Sequence, residues 1–102
     1  MRQREATNAS GYHSRLLIAM KTTLLSDLPN GAHATVARVV AASREADETM
    51  LHRLSELGFI QGEPLQVLRR GPGGREPLAV LIGETMFALR LLEAQCVEVL
   101  PA

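Results

Sequence analysis

Short apolar runs separated by glycine and proline fill the chain after residue 63, and they constrain the fold more than any other feature of the sequence. The runs that read as strands are Pro64 to Arg70, Pro77 to Ile82, Met86 to Arg90 and Cys96 to Leu100. A further run, Ala34 to Ala42, follows the turn signal Pro29-Asn30-Gly31. Five short strands would leave exposed edges, which closure into a barrel removes. The pattern therefore predicts a mainly β chain folded as a small five-stranded barrel.

One segment between the first two long strands, Glu45 to Gly58, has helical periodicity instead. Its apolar residues at helical spacing are Met50, Leu51, Leu54 and Leu57. Asp47 suits an N-cap, and Gly58 suits a C-terminal cap that tolerates positive φ. We predict one inserted α-helix with its leucines facing the core. A single helical turn, Leu91 to Ala94, is predicted before the last strand.

Charge and aromatic content argue against a nucleic-acid partner. Eleven Lys and Arg residues balance eleven Asp and Glu residues, and beyond residue 20 eight positive charges face ten negative ones. Nucleic-acid binding usually needs a basic excess, because phosphate neutralisation supplies most of the affinity. Unpaired bases also stack on clustered aromatic side chains, and Tyr12, Phe59 and Phe87 are the only three aromatic residues. We expect no nucleic-acid partner.

Cysteine usage and hydropathy indicate a cytoplasmic protein. Cys96 is the single cysteine, which excludes an intrachain disulfide and a multi-cysteine metal site. Its place in an alternating apolar run predicts a small buried side chain. The longest uninterrupted apolar runs, Leu16 to Met20 and Leu78 to Ile82, are far shorter than the roughly 20 residues of a membrane-spanning helix. We therefore expect no insertion into a membrane.

Residues 1–20 differ from the rest of the chain. They are mostly polar and carry Arg2, Arg4 and Arg15 against the single acid Glu5. We interpret them as an N-terminal extension that is either disordered or the product of an upstream start codon, with a short helix from Arg15 to Leu25 as the alternative. Residues 21–102 are then expected to form the folded domain.

The run Arg53 to Gly62, R-L-S-E-L-G-F-I-Q-G, resembles the signature of FeoA-type proteins, small cytosolic components of bacterial ferrous iron transport. Leu25 to Gly31, Arg69 to Pro77 and Ala88 to Val99 agree with the same family in order and spacing. The resemblance implies an SH3-like five-stranded barrel that is an accessory to FeoB, the membrane transporter with a cytosolic GTP-binding domain. The domain is also similar to the C-terminal domain of diphtheria-toxin-repressor-like proteins. Because the chain has no winged-helix segment, we expect the stand-alone transport version.

The sequence predicts a protein that is not an enzyme and that binds a partner. No nucleophile motif is present, and Gly71 to Arg75 lacks the Lys-Ser/Thr of a phosphate-binding loop. The candidate partner-binding residues are Arg53, Phe59, Arg69, Arg70, Arg75 and Arg90. Guanidinium groups suit contacts with an acidic face or a nucleotide phosphate. Phe59 has two interpretations, a core residue or an exposed aromatic anchor at an interface.

A candidate metal site lies on the predicted helix. Glu48, His52 and Glu56 stand at i, i+4 and i+8, on the face opposite the leucines. Carboxylate and imidazole ligands together would accept Fe²⁺ or Zn²⁺. Surface ligands without supporting contacts hold a metal weakly, so a solvated charged face is the competing interpretation. No cofactor is required, and a second molecule that completed the coordination would give a metal-bridged homo-oligomer.

Two functional hypotheses follow from these observations. The leading one is a cytosolic accessory protein of bacterial ferrous iron transport that acts as a protein-interaction module on the FeoB transporter. The alternative is a metal-responsive sensor or carrier of Fe²⁺ or Zn²⁺ that uses the exposed helix face Glu48-His52-Glu56.

Overall fold

The computed structural model describes residues 21–102, so the interpretation of residues 1–20 as an extension lies outside the described residues. In chain order the elements are β1 (Thr23–Leu24), a 3-10 helix (Leu25–Asp27), β2 (His33–Val39), α1 (Glu48–Leu57), β3 (Pro64–Arg70), β4 (Leu78–Ile82), β5 (Thr85–Leu89), α2 (Leu91–Ala94) and β6 (Val97–Pro101). The predicted mainly β fold with one inserted helix and a short C-terminal helical turn is confirmed.

All six strands belong to one antiparallel sheet with the order β1-β6-β2-β3-β4-β5. The sequence predicted five strands, and the additional one is β1, which pairs Thr23 with Val99 and Leu24 with Glu98. Two residues are too few to show an alternating pattern, so this strand could not be predicted from hydrophobic periodicity. Within residues 21–102 the terminal strands β1 and β5 do not pair with each other.

Two register shifts bend the sheet. One lies between Val36 and Arg38, where β2 pairs with β6, and the other lies between Val67 and Arg69, where β3 pairs with β4. An extra residue in one strand kinks it and increases its twist, which curls a small sheet around its core. The extra residue offsets the alternation of side chains by one position, so each later residue of the strand points to the face opposite the one that strict alternation would give.

Helix α1 begins and ends at local signals. The Asp47 carboxylate accepts a hydrogen bond from the Met50 N–H at 2.9 Å, which confirms the predicted N-cap and begins the helix at Glu48. Gly58 has φ 115°, and its N–H donates to carbonyls of the last turn. Leu54 on the inner face is completely buried, and Leu51 and Leu57 pack beside it. The helix therefore closes one side of the core.

The core is mostly aliphatic, as the scarcity of aromatic residues predicts, and Phe59 is its one completely buried aromatic residue among residues 21–102. Its completely buried members include Leu25, Leu54, Val67, Leu78, Val80, Val97 and Val99. Cys96 is also completely buried, which confirms its interpretation as a small apolar side chain. Among residues 21–102, no helix is long and apolar enough to cross a membrane.

Candidate functional site

Two of the five arginines among the candidate partner-binding residues form contacts within the protein. Arg70 ends β3, and its guanidinium donates to the Ser26 carbonyl oxygen at 2.6 Å and to Asn30 Oδ1 at 3.4 Å. Arg53 on α1 forms an ion pair with Glu93 on α2, with 2.6 Å between Nη1 and Oε2. Both arginines therefore hold separate segments of the fold together.

Glu93 explains why Arg53 is held in place. Only 6% of the Glu93 surface is exposed, and its second carboxylate oxygen, Oε1, accepts a hydrogen bond from the Arg90 N–H at 2.8 Å. A buried carboxylate is costly unless it is paired and hydrogen-bonded. Arg53 supplies the compensating charge, so the contact fixes α2 against α1.

Phe59 is a core residue, and its interpretation as an exposed anchor is wrong. The ring is 0% exposed, and its centroid lies 6.2 Å from that of Phe87 at an interplanar angle of 53°. The left-handed conformation of Gly58 turns the chain back, so that the Phe59 N–H donates to the Leu54 carbonyl oxygen and the ring points inward. The next residue, Ile60, is the exposed one at 49%.

Arg69, Arg75 and Arg90 remain exposed, and none of the three side chains forms a hydrogen bond or ion pair with another residue in the range 21–102. The β3 register shift determines this for Arg69. It places Arg69 opposite Ala79 on the outer face and Arg70 opposite the buried Leu78. Without the shift, strand alternation would have exchanged the two arginines.

Arg69 borders a groove of about 190 Å³ on the outer face of β3, β4 and β5. The groove is lined by Arg69, Arg70, Gly71, Pro77, Ala79, Met86 and Ala88. We call it the arginine groove. Its apolar floor includes Met86, which is 57% exposed. Sequence reasoning missed Met86, although its even spacing with Ala88 and Arg90 marks one face of β5.

A second, more polar pocket shares Arg70 with the groove. It has a volume of about 240 Å³ and is lined by Ser26, Asp27, Arg70, Gly74, Arg75, Leu91 and Gln95. Glu76 holds the loop that bears Arg75 against α2, because its Oε1 accepts a hydrogen bond from the Leu91 N–H at 2.6 Å. Arg75 is thereby placed on the same end of the molecule as Arg69 and Arg70.

The arginine groove and a group of acids lie at opposite ends of the sheet. Strand β2 runs antiparallel to β3, so the loop after β2 is remote from the end of β3 that carries Arg69. That loop contains Arg44, Glu45 and Asp47, and Glu63 immediately precedes β3 at the same end. Among residues 21–102, Arg69 and Arg75 therefore lie at one end of a domain whose overall charge is slightly negative, and at the other end Arg44 is outnumbered by acids.

The three candidate metal ligands are only partly brought together. His52 Nε2 and Glu56 Oε2 are 3.1 Å apart on the exposed face of α1. Residues 21–102 contain no group of three or more His, Cys, Asp or Glu side chains placed to share a metal ion. Glu48 therefore does not complete a three-ligand set, and the metal prediction narrows to His52 and Glu56.

The chain resembles known proteins in both sequence and fold. Residues 23–101 match the FeoA domain family. Among proteins with curated functions, none matches the sequence.

Solved structures resemble the fold over most of its length. FeoA of Stenotrophomonas maltophilia, a prokaryotic SH3 domain protein solved in complex with zinc, is 43% identical, with a TM-score of 0.67 over 76% of this chain and 88% of that one. FeoA of Chlorobium tepidum is 33% identical, with a TM-score of 0.63 over 78% and 70% of the two chains. A manganese-dependent transcriptional repressor is 26% identical, with a TM-score of 0.65 over 79% of this chain but 42% of its own. These similarities confirm the SH3-like architecture.

Proposed function

This chain belongs to the FeoA family, and from that premise we propose that it is a non-enzymatic, cytosolic accessory protein that docks on a FeoB-type ferrous iron transporter. The observation that carries the proposal is the arginine groove, which combines an exposed apolar floor with the guanidinium of Arg69, a group that has no ion-pair partner among residues 21–102. Protein interfaces commonly combine an apolar centre with a polar rim in which Arg is enriched.

The partner surface that fits this groove is acidic, with an apolar side chain at its centre. Arg69 and Arg75 have no carboxylate partner within residues 21–102, so they can pair with carboxylates of another protein without breaking an existing contact. Arg53 could pair with a partner protein only by breaking its contact with Glu93, and Arg70 only by breaking its contact with Ser26 of the 3-10 helix. We therefore assign docking to Arg69, Arg75 and Met86.

Docking can regulate the transporter only through differential affinity. A module that binds one conformation of the cytosolic domain more tightly than another shifts the population toward that conformation. The contact of Arg70 with the Ser26 carbonyl oxygen holds one wall of the groove in place, which lowers the ordering cost of binding. The chain needs no catalytic residue for this role.

The direct test is a titration of the full chain against the isolated cytosolic domain of the FeoB-type transporter from the same organism. We expect Arg69→Glu and Arg75→Glu each to weaken binding about tenfold, because each replaces an attraction with a repulsion at the interface. Arg44→Glu is the matched control, since it makes the same charge change on an exposed residue at the opposite end of the sheet.

Two outcomes would count against the proposal. Absence of binding by the folded wild-type chain would remove the docking function itself. Equal weakening by Arg44→Glu would mean that only net charge matters, and the assignment of the arginine groove would then be wrong.

A second candidate function is metal-responsive binding through α1. The supporting observations are the 3.1 Å separation of His52 Nε2 and Glu56 Oε2 and the zinc complex of the Stenotrophomonas maltophilia relative. Two exposed ligands leave most of the coordination sphere to water or to a second molecule. We expect weak binding of Fe²⁺ or Zn²⁺.

Calorimetric titration of both ions, with iron under anaerobic conditions, tests this candidate. Removal of an imidazole ligand in His52→Ala should weaken binding about tenfold. His33→Ala serves as the control, because His33 is also exposed but lies on β2. Identical isotherms for wild type and His52→Ala would exclude α1 as the metal site.

A further inference from the structure

The free edge of the sheet at β5 is not protected in the usual ways. Strand β5 is the last in the strand order and pairs only with β4 among the strands of residues 21–102. Natural sheets protect such edges with charged residues, proline or bulges. Thr85 to Leu89 contain no charge and no proline, and their register with β4 is continuous. The edge is therefore open to pairing with another strand.

The hairpin geometry shows which main-chain groups the edge presents. Gly83 and Glu84 alone connect β4 to β5, and Ile82 pairs with Thr85. A two-residue turn closes on a hydrogen-bonded pair, and such pairs alternate along antiparallel strands. Thr85, Phe87 and Leu89 therefore direct their N–H and C=O groups toward β4. Met86 and Ala88 direct theirs away from the sheet.

Charges flank this edge symmetrically. Glu84 and Arg90 are each three residues from Phe87, both are exposed, and neither side chain forms an ion pair within the described part of the chain. Glu84 precedes β5 and Arg90 follows it. An antiparallel copy of the same segment would place opposite charges next to each other at both ends.

We propose that two copies of this chain associate by antiparallel pairing of their β5 strands about a two-fold axis at Phe87. In this register Met86 pairs with Ala88 of the second copy, and each such pair exchanges two main-chain hydrogen bonds. Glu84 lies beside Arg90 of the second copy at both ends. The half-buried Phe87 meets its own counterpart in a non-hydrogen-bonded pair, where side chains come closest.

Other registers fit less well. The outward main-chain groups of Met86 and Ala88 must pair with outward groups of the second copy. The two-fold axis must therefore pass through a residue of β5, not between two residues. Centring on Met86 places Glu84 beside Ala88, and centring on Ala88 places Arg90 beside Met86. Only the centre at Phe87 neutralises all four flanking charges. This two-fold contact is self-complementary, as a symmetric dimer requires.

The contact is small, so the dimer is weak. One strand edge buries less than the roughly 1,000 Å² of a stable specific interface. The dimer should therefore form at high protein concentration and dissociate on dilution. It rests on β5 and requires neither a transporter nor a metal ion, so its failure would leave the proposed docking function untouched.

Sedimentation velocity of the full chain from about 10 µM to about 1 mM, in buffer with a metal chelator, is the experiment. The wild type should show a reversible, concentration-dependent dimer. Glu84→Arg and Arg90→Glu should each raise the dimer dissociation constant about tenfold, because like charges then face each other at both ends. An equimolar mixture of the two variants should recover association, since each end of the mixed dimer then pairs opposite charges.

Matched controls are Glu48→Arg and Arg44→Glu, which repeat the two charge changes on exposed residues away from β5 and should leave the dissociation constant unchanged. Thermal melts check that every variant folds. A monomer at the highest concentration, loss of the dimer through the chelator alone, or no recovery in the mixture would each overturn the proposal.

Discussion

At the level of single residues, contacts between positions distant in sequence determine which arginines stabilise the fold and which remain exposed. The Arg53–Glu93 and Arg70–Ser26 contacts join residues 40 and 44 positions apart, respectively. Periodicity and turn signals act over a few residues, so the sequence identified the arginines as candidates without separating the structural ones from the free ones. The β3 register shift, which decides between Arg69 and Arg70, is equally invisible in the sequence.

The Arg53–Glu93 contact predicts a specific loss of stability. Arg53→Ala leaves the buried Glu93 carboxylate with only the Arg90 N–H as its partner, so we expect the free energy of unfolding to fall by about 1–3 kcal/mol. Urea denaturation measures the loss. Arg44→Ala, in an exposed loop, should change it little. A double-mutant cycle with Glu93→Gln should reveal coupling, and strictly additive effects would contradict the assignment.

A second stability prediction compares Phe59 with its neighbour Ile60. Phe59→Ala removes a completely buried ring in contact with the core, and the free energy of unfolding should fall by about 3–5 kcal/mol. Ile60→Ala is the control, because Ile60 is 49% exposed and should cost much less. Denaturant titration of the two variants compares them. A larger loss for Ile60→Ala would contradict the burial of Phe59.

At the scale of elements, α1 was the most predictable part of the fold and β1 the least. The helix has its own period, an N-cap and a C-terminal glycine, all within one short segment. Strand β1 consists of two residues that pair with β6, and this pairing joins segments more than 70 residues apart in the sequence. It therefore depends on the tertiary fold and not on a local pattern. The ends of strands β3 to β6 were predicted to within one residue, because turn residues separate these strands.

The C-terminal cap of α1 predicts that substitution of Gly58 destabilises the protein. Gly58 has φ 115°, where a residue with a Cβ is strained, although a Cβ would meet nothing closer than Ile82 Cγ2 at 4.0 Å. Gly58→Ala should therefore lower the free energy of unfolding by about 1–2 kcal/mol through backbone strain alone. Circular dichroism during denaturation measures it. If Gly58→Ala matched the wild type, the left-handed cap would be wrong.

At the scale of the whole molecule, two charge properties make opposite predictions about an acidic partner. Residues 21–102 carry eight positive and ten negative charges, so net charge alone predicts a weak repulsion. The free arginines at one end predict a local attraction, which dominates at short range because screening removes distant charges first. An acidic partner should therefore approach the arginine groove and avoid the end that bears Glu45, Asp47 and Glu63.

Salt dependence decides between these two effects. Raising the ionic strength from 0.1 M to 1 M shortens the Debye length from about 10 Å to about 3 Å. If local attraction governs docking, the dissociation constant for the transporter's cytosolic domain should rise about tenfold over this range, mainly through a slower association rate. Arg69→Glu should show a shallower dependence, and Arg44→Glu should retain the wild-type slope. Tighter binding at high salt would mean that net repulsion prevails, and the arginine groove would then not be the surface that meets an acidic partner.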